Sequence, residues 1–216
     1  MLAWTLALLL AAALPKPLAR LESATEDLGD AAQHGQWRRA GALLRGSRRD
    51  VQTLRKTPAD PATLDALQAD LELAAAALAQ HDRWGAARAA NLASSEVVAL
   101  YRPHHPAVPI EVMQLDVLLR EAQLDGLTLV PAQATAAVDQ AISVWKRLRK
   151  VPPLYETPTA KRFDAQLAAV DRALRAADAQ ALAKAAGQAL EGVDALERVF
   201  PPSALKRRIA AHAPGR

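Results

Sequence analysis

Four stretches of this chain end in the same way. They read "VQTLRKTP" (51–58), "VALYRP" (98–103), "WKRLRKVPP" (145–153) and "DALERVFPP" (194–202). In each a leucine is followed two positions later by a basic residue, and then by proline. The leucines are Leu54, Leu100, Leu148 and Leu196, spaced 46, 48 and 48 residues apart. A near-constant period of this size marks one supersecondary unit used repeatedly. Basic residues in a last turn suit the negative end of a helix, and proline stops it. The repeat therefore sets helix ends about every 48 residues.

Each unit also breaks near its middle, at "HGQW" (34–37), "HDRW" (81–84), "LDGLTLVP" (124–131) and "AADAQ" (176–180). Asp and Gly at such points end one helix and cap the next. Each unit is thus a helical hairpin. Asp60-Pro61 and Thr157-Pro158 place a cap before a proline at the first helical position, and Pro131 is expected to open the sixth helix in the same manner. The expected helices span 20–34, 36–56, 60–81, 83–102, 109–125, 131–150, 158–177 and 179–199, with room for a short ninth after Ser203. Composition agrees. Hydrophobic residues make up 51% of the 216, aromatics only 4%, and the apolar content is mostly Ala and Leu, which favour helix over strand.

A hairpin alone cannot bury its apolar stripe. Phe163, Leu167, Val170 and Leu174 in the seventh helix lie within about 60° of arc, and Leu182, Ala186, Val193, Leu196 and Phe200 form the facing stripe in the eighth. The expectation is an all-α protein of four antiparallel hairpins. They pack as two four-helix halves, 20–102 and 109–200, or as an α-solenoid-like array. The link between halves is "RPHHPAVP" (102–109), and 201–216 form a basic tail.

The N-terminus, "MLAWTLALLLAAALPKPLAR", carries no charged side chain from Leu2 to Leu14. That run is too short to span a bilayer, which takes about 20 apolar residues. It fits the apolar core of a secretory signal peptide over residues 1–15, with "AAA" (11–13) as small residues for cleavage. Export to the periplasm or beyond is the expectation, with an uncleaved N-terminal anchor as the alternative. The absence of cysteine excludes disulfides, thiolate nucleophiles, Fe–S clusters and Cys-based zinc sites.

Chemistry is sparse. His104 and His105 sit in the central link, where adjacent side chains point to opposite sides and rarely share a metal. His34 and His81 occupy matching turns before Trp37 and Trp84. No HExxH spacing, nucleophile–base pair, Gly-rich phosphate loop or carboxylate cluster is legible, and "EDLGD" (26–30) lacks the ligand spacing of a calcium loop. No enzyme activity, cofactor or metal site is expected. In the fifth helix Asp116 and Arg120, four apart, fall inside the arc formed by Val112, Met113, Leu115, Val117, Leu119 and Leu124, while Glu111, Gln114, Glu121 and Asp125 lie opposite. Buried charges must be compensated, so Asp116 and Arg120 are expected to pair with each other or with Asn91, as a structural polar lock or a small ligand pocket. In the second helix Arg38, Arg45, Arg49 and Lys56 project within about 40° of one another. They form a solvated face or a docking surface for an anion. In an exported protein that anion is a lipid head group or an acidic envelope polymer; no aromatics interleave as a single-stranded nucleic-acid surface would require.

Two resemblances accompany these readings. The stretch "FDAQLAAVDRALRAADAQALAKAAGQALEGVDALERVF" (163–200) resembles a hairpin of the exported four-helix bundles of the cytochrome b562 type in helix length and apolar spacing. That resemblance implies a haem held between Met and His on facing helices; here the candidates are Met113 and His212, the latter in the tail. The stretch "AANLASSEVVALYRPHHPAVPIEVMQLDVLLRE" (89–121) is similar to a segment of exported all-helical bacterial proteins of uncharacterised activity, through Asn91, Tyr101, Pro109, Glu111, Val112, Asp116, Arg120 and Glu121. It implies export and a helical fold. Together these readings make a non-enzymatic binding or scaffold protein of the cell envelope, with a small-ligand or metal/haem carrier as the alternative. An envelope protein or an anionic surface is the expected partner.

Overall fold

The computed structural model of the chain describes residues 14–104 and 106–200. Eight α-helices account for most of them: α1 (Lys16–Gln33), α2 (Trp37–Leu54), α3 (Pro61–Ala79), α4 (Arg83–Tyr101), α5 (Ile110–Leu127), α6 (Thr135–Leu148), α7 (Pro158–Arg175) and α8 (Ala179–Glu197). The apolar run before Leu14 that was expected to be a signal peptide, His105, His212 and the basic tail lie outside the described residues. No described helix is long and apolar enough to cross a membrane.

Caps predicted from sequence are made. Asp60 accepts from the Thr63 amide, Thr157 from Ala160, Asp178 from Ala181, and Asp82 from both Trp84 and Gly85. Each such cap is worth about 1 kcal/mol. Two boundaries differ from expectation. α1 begins at Lys16 rather than 20, because Pro17 fits a first helical turn and Leu18 and Leu21 reach the core. Pro131 opens a single 3-10 turn, Pro131–Ala134, and α6 starts only at Thr135. The tighter turn lets Ala134 be fully buried.

The first four helices close into a ring. α1 packs on α2 and α4, and α3 packs on the same two helices. In the second half α5 packs on α6 and α8, and α7 on α8, with a thin contact between α6 and α7. Trp145 strengthens that thin edge: its indole stacks edge-on against Phe163 at 4.6 Å, and its N–H donates to Asp164 at 2.7 Å. Antiparallel helical hairpins packed against one another describe the result. The hydrophobic core is correspondingly in two main parts, one from Leu18 to Met113 and one from Val112 to Phe200. The four repeat leucines, Leu54, Leu100, Leu148 and Leu196, are all buried. Each fully buried leucine contributes about 1.5–3 kcal/mol, so the repeat marks positions where the chain could least tolerate a polar residue.

α4 packs on α5 and joins the halves. Small residues let helices approach closely here. Ala32, Ala86, Ala87 and Leu124 form a separate apolar cluster at this junction. The end of α5 presses onto the start of α8 so tightly that a Cβ on Gly126 would stand 2.6 Å from the Ala183 nitrogen and 2.7 Å from the Ala179 carbonyl oxygen.

Candidate functional site

The junction between halves carries two polar clusters. One locks α4 to α5. Arg88 donates to Glu121 at 3.0 Å and to the Thr128 hydroxyl at 2.8 Å, and lies 2.7 Å from a carboxylate oxygen of Asp125. The Asn91 amide donates to the Val117 carbonyl at 3.1 Å and to Glu121 at 3.2 Å. The expected pairing of Asn91 with Asp116 or Arg120 is thus replaced by bonds to their sequence neighbours Val117 and Glu121, about 100° further round the same turns of α5. Asp125, expected on the outer face with Glu111, Gln114 and Glu121, is only 1% exposed. Arg88 on the neighbouring helix supplies the charge that makes this burial tolerable.

The second cluster lies where α1, α5 and α8 meet beside the end of α4. Asp116 and Arg120 do pair, at 3.4 Å, and both are largely buried, at 14% and 12% side-chain exposure. Arg120 reaches further, to Asp30 of α1 at 2.7 Å. α1 adds Glu22 and Glu26, about two turns and one turn before Asp30. Glu22 accepts a hydrogen bond from the Tyr101 hydroxyl of α4. From α8, Asp194 and Glu197 act on the same group of charges.

Glu22, Glu26 and Asp116 are half-buried here while Asp30, Asp194 and Glu197 are exposed, and the acidities of the cluster respond. Burial, reinforced by Asp116, Glu22 and Glu197 and opposed by Arg120, pushes Glu26 up to about 8. Burial and the charges of Asp116, Asp194 and Glu22 push Glu197 up to about 6 against the pull of Arg198. Burial also raises Asp116 and Glu22, although Arg120 and the Tyr101 hydroxyl pull the other way. Burial drives the Tyr101 hydroxyl far above its usual range, and the bond to Glu22 adds to that. Burial works against the Arg120 charge, and Asp116, Asp30 and Glu26 around it more than offset that. Sequence reading missed this cluster because its members come from three helices far apart in the chain. The one local signal was the i, i+4, i+8 run of Glu22, Glu26 and Asp30 along the edge of the α1 apolar face.

The basic residues of α2 divide into two sets. Arg39 pairs with Asp27 of α1 at 2.7 Å, Arg55 with Asp65 of α3 at 2.7 Å, and Arg48 with Glu72 of α3. Asp50, the single acid of α2, is taken by Arg20 of α1. Arg38, Arg45, Arg49 and Lys56 are exposed, and the ion pairs of the described residues include none of them. At about 1.5 Å per residue Arg38, Arg45 and Arg49 run some 16 Å along one side of the helix, and Lys56 follows in the turn just past its end. Beside them a shallow groove between α1 and α2 has Ala19, Ala42 and Gly46 in its floor and Arg20, Arg39 and Arg49 at its edges.

The histidines stay apart. His34 caps the end of α1 with its ring nitrogen 2.8 Å from the Asp30 carbonyl, and His81, at φ 54°, stacks edge-on against Trp37 at 5.0 Å. Met113 is buried in the first core. Among the described residues no three His, Asp or Glu side chains are placed to hold a metal ion. Comparison with protein-family models, with curated proteins and with solved structures finds no match to this chain.

Proposed function

We propose that the chain is an exported, non-enzymatic binding or scaffold module of the bacterial cell envelope, and that it docks through α2 onto an anionic surface. The observation that carries this reading is the division of the α2 cations. Where a neighbouring helix is in reach the arginines are paired; Arg38, Arg45 and Arg49, in register on the outer side of α2, and Lys56 just past its end are in none of the described ion pairs. A solvated face has no need of such alignment, whereas a charged plane rewards it. Each cation near an anionic leaflet contributes about 1 kcal/mol. Four together reach about 4 kcal/mol, the millimolar range. The contact is therefore weak, screened by salt and suited to a surface of many charges rather than to a single small ion.

The test is co-sedimentation of the full chain with phosphatidylglycerol vesicles and with neutral phosphatidylcholine vesicles, at low and high salt. Binding to the anionic vesicles alone, lost at high salt and in the Arg38→Gln, Arg45→Gln, Arg49→Gln triple variant, is the expected outcome. Equal binding by the triple variant refutes the role of the stripe. A small-ligand carrier is the second reading. It is favoured by an apolar cavity of about 400 Å³ at the link end of the first bundle, with Leu18, Leu54, Ala59 and Leu100 in its walls. A chromophore or a stoichiometric ligand retained by the purified chain selects it.

A further inference from the structure

The carboxyl cluster between the bundles has no part in docking through α2, yet it places an unusual demand on the fold. Glu22, Glu26 and Asp30 of α1, Asp116 of α5, and Asp194 and Glu197 of α8 are six carboxyls that share the two cations Arg120 and Arg198. Tyr101, from α4, adds a neutral hydroxyl bonded to Glu22. α2, the remaining helix packed on α1, spends its nearby charges elsewhere, Asp50 on Arg20 and Arg39 on Asp27. Asp30, Asp194, Glu197 and Arg198 are exposed, so the half-buried part of the cluster is Glu22, Glu26 and Asp116 beside Arg120, and like charges at close range disfavour one another's ionisation. The direct ion pair from α1 into the second bundle, Asp30 to Arg120, lies within this same cluster.

We propose that this seam is a proton-dependent joint between the two bundles, closed while a carboxyl at its centre carries a proton and loosened as the carboxyls ionise. Glu26 is the central group, since Asp116, Arg120, Glu22 and Glu197 all act on it. Its acidity, raised to about 8, places its ionisation near and above neutrality, and that of Glu197, at about 6, below it. A carboxyl with a raised folded-state value binds more protons folded than unfolded. Stability is then fully present below the ordinary carboxyl range, near 4.5, and is lost as pH rises through the folded value. The Arg88 cluster, where α4 meets the far end of α5, is separate from this one, so the loosening is confined to the side-chain contact of α1 with α5 and α8 through Asp30 and Arg120.

The test uses the full chain in three measurements. Carbon-13 NMR titration of the glutamate carboxyls in the unsubstituted protein should show one that ionises near pH 8. Urea unfolding at a series of pH values should show the unfolding constant rising by about tenfold per pH unit between pH 6 and pH 8. Amide exchange, corrected for its intrinsic pH dependence, should show protection falling in α1 and α5 over the same range. Glu26→Gln should flatten the last two profiles, and Glu197→Gln should flatten their lower part. Because the NMR titration needs no variant, a poorly folded Glu26→Gln protein does not remove the test. Glutamates that all ionise in the ordinary range, or an unfolding constant that stays level from pH 6 to pH 8, overturn the proposal.

Discussion

Replacing Arg120 by methionine isolates the energetics of the seam. The substitution keeps the long apolar stem and deletes the charge. Asp116, 14% exposed, then loses its cation, while Asp30, 52% exposed, is returned to water at small cost. Breaking a buried pair from one side costs about 3–5 kcal/mol. Protonation sets a ceiling on that figure, because Asp116 can neutralise itself instead of remaining charged. From an ordinary value of 3.8, holding the proton costs about 1.36 kcal/mol per pH unit above it, which is about 4 kcal/mol at pH 7 and under 2 kcal/mol at pH 5. Arg120→Met should therefore destabilise by about 3–4 kcal/mol at pH 7 and by less than about 2 kcal/mol at pH 5. Asp116→Leu is not its mirror image. Arg120 keeps Asp30 at 2.7 Å, so this single change should cost about 1–2 kcal/mol. The double variant should cost much less than the sum of the singles, as expected for residues in one network. Urea unfolding of the three proteins at pH 5 and pH 7 measures every quantity. An Arg120→Met loss that is below about 1 kcal/mol at pH 7, or equal at the two pH values, refutes the buried-pair argument.

Gly126→Ala should destabilise by about 1–3 kcal/mol, since the new Cβ meets backbone atoms of α8 that cannot rotate away; an unchanged urea midpoint would show that α5 and α8 do not touch there. N-terminal sequencing of the chain recovered from expressing cells should give a mature end between Leu14 and Lys16, because a cut further in removes Leu18 from the first core, and intact Met1 in the cytoplasm would refute export.

Helix ends were legible because local chemistry sets them. Asp60, Asp82, Thr157 and Asp178 each satisfy amides three or fewer residues away, so the cap is written next to the helix it begins. The Asp116–Arg120 pair was legible for the same reason, being four residues apart on one helix. Contacts between helices were not. Asp125 was placed on the solvent face because its own helix offers it no partner; its partner is Arg88, on α4. Asn91 was joined to the wrong side of α5: its partners Val117 and Glu121 follow Asp116 and Arg120 directly, and which side of α5 faces α4 is not set by any spacing within one helix. Glu26 and Glu197 are 171 residues apart and meet only because two separate four-helix rings are joined along α4 and α5.

The two charged features also act by different physics, and α1 keeps them apart. Its Arg20 and Asp27 reach α2, while Glu22, Glu26 and Asp30 lie about a third of a turn away, toward α5 and α8. The exposed cations of α2 sit in water, where salt screens them over about 10 Å at 0.1 M. Glu22, Glu26 and Asp116 in the seam are partly buried, so salt reaches them poorly and protons govern them. Glu26→Gln should accordingly leave the salt dependence of vesicle binding as it is, and the triple arginine variant should keep the pH dependence of unfolding. If either substitution moves both profiles, the outward stripe and the inward cluster are coupled through α1, and the separation drawn from the pairing of Arg20 and Arg39 is wrong.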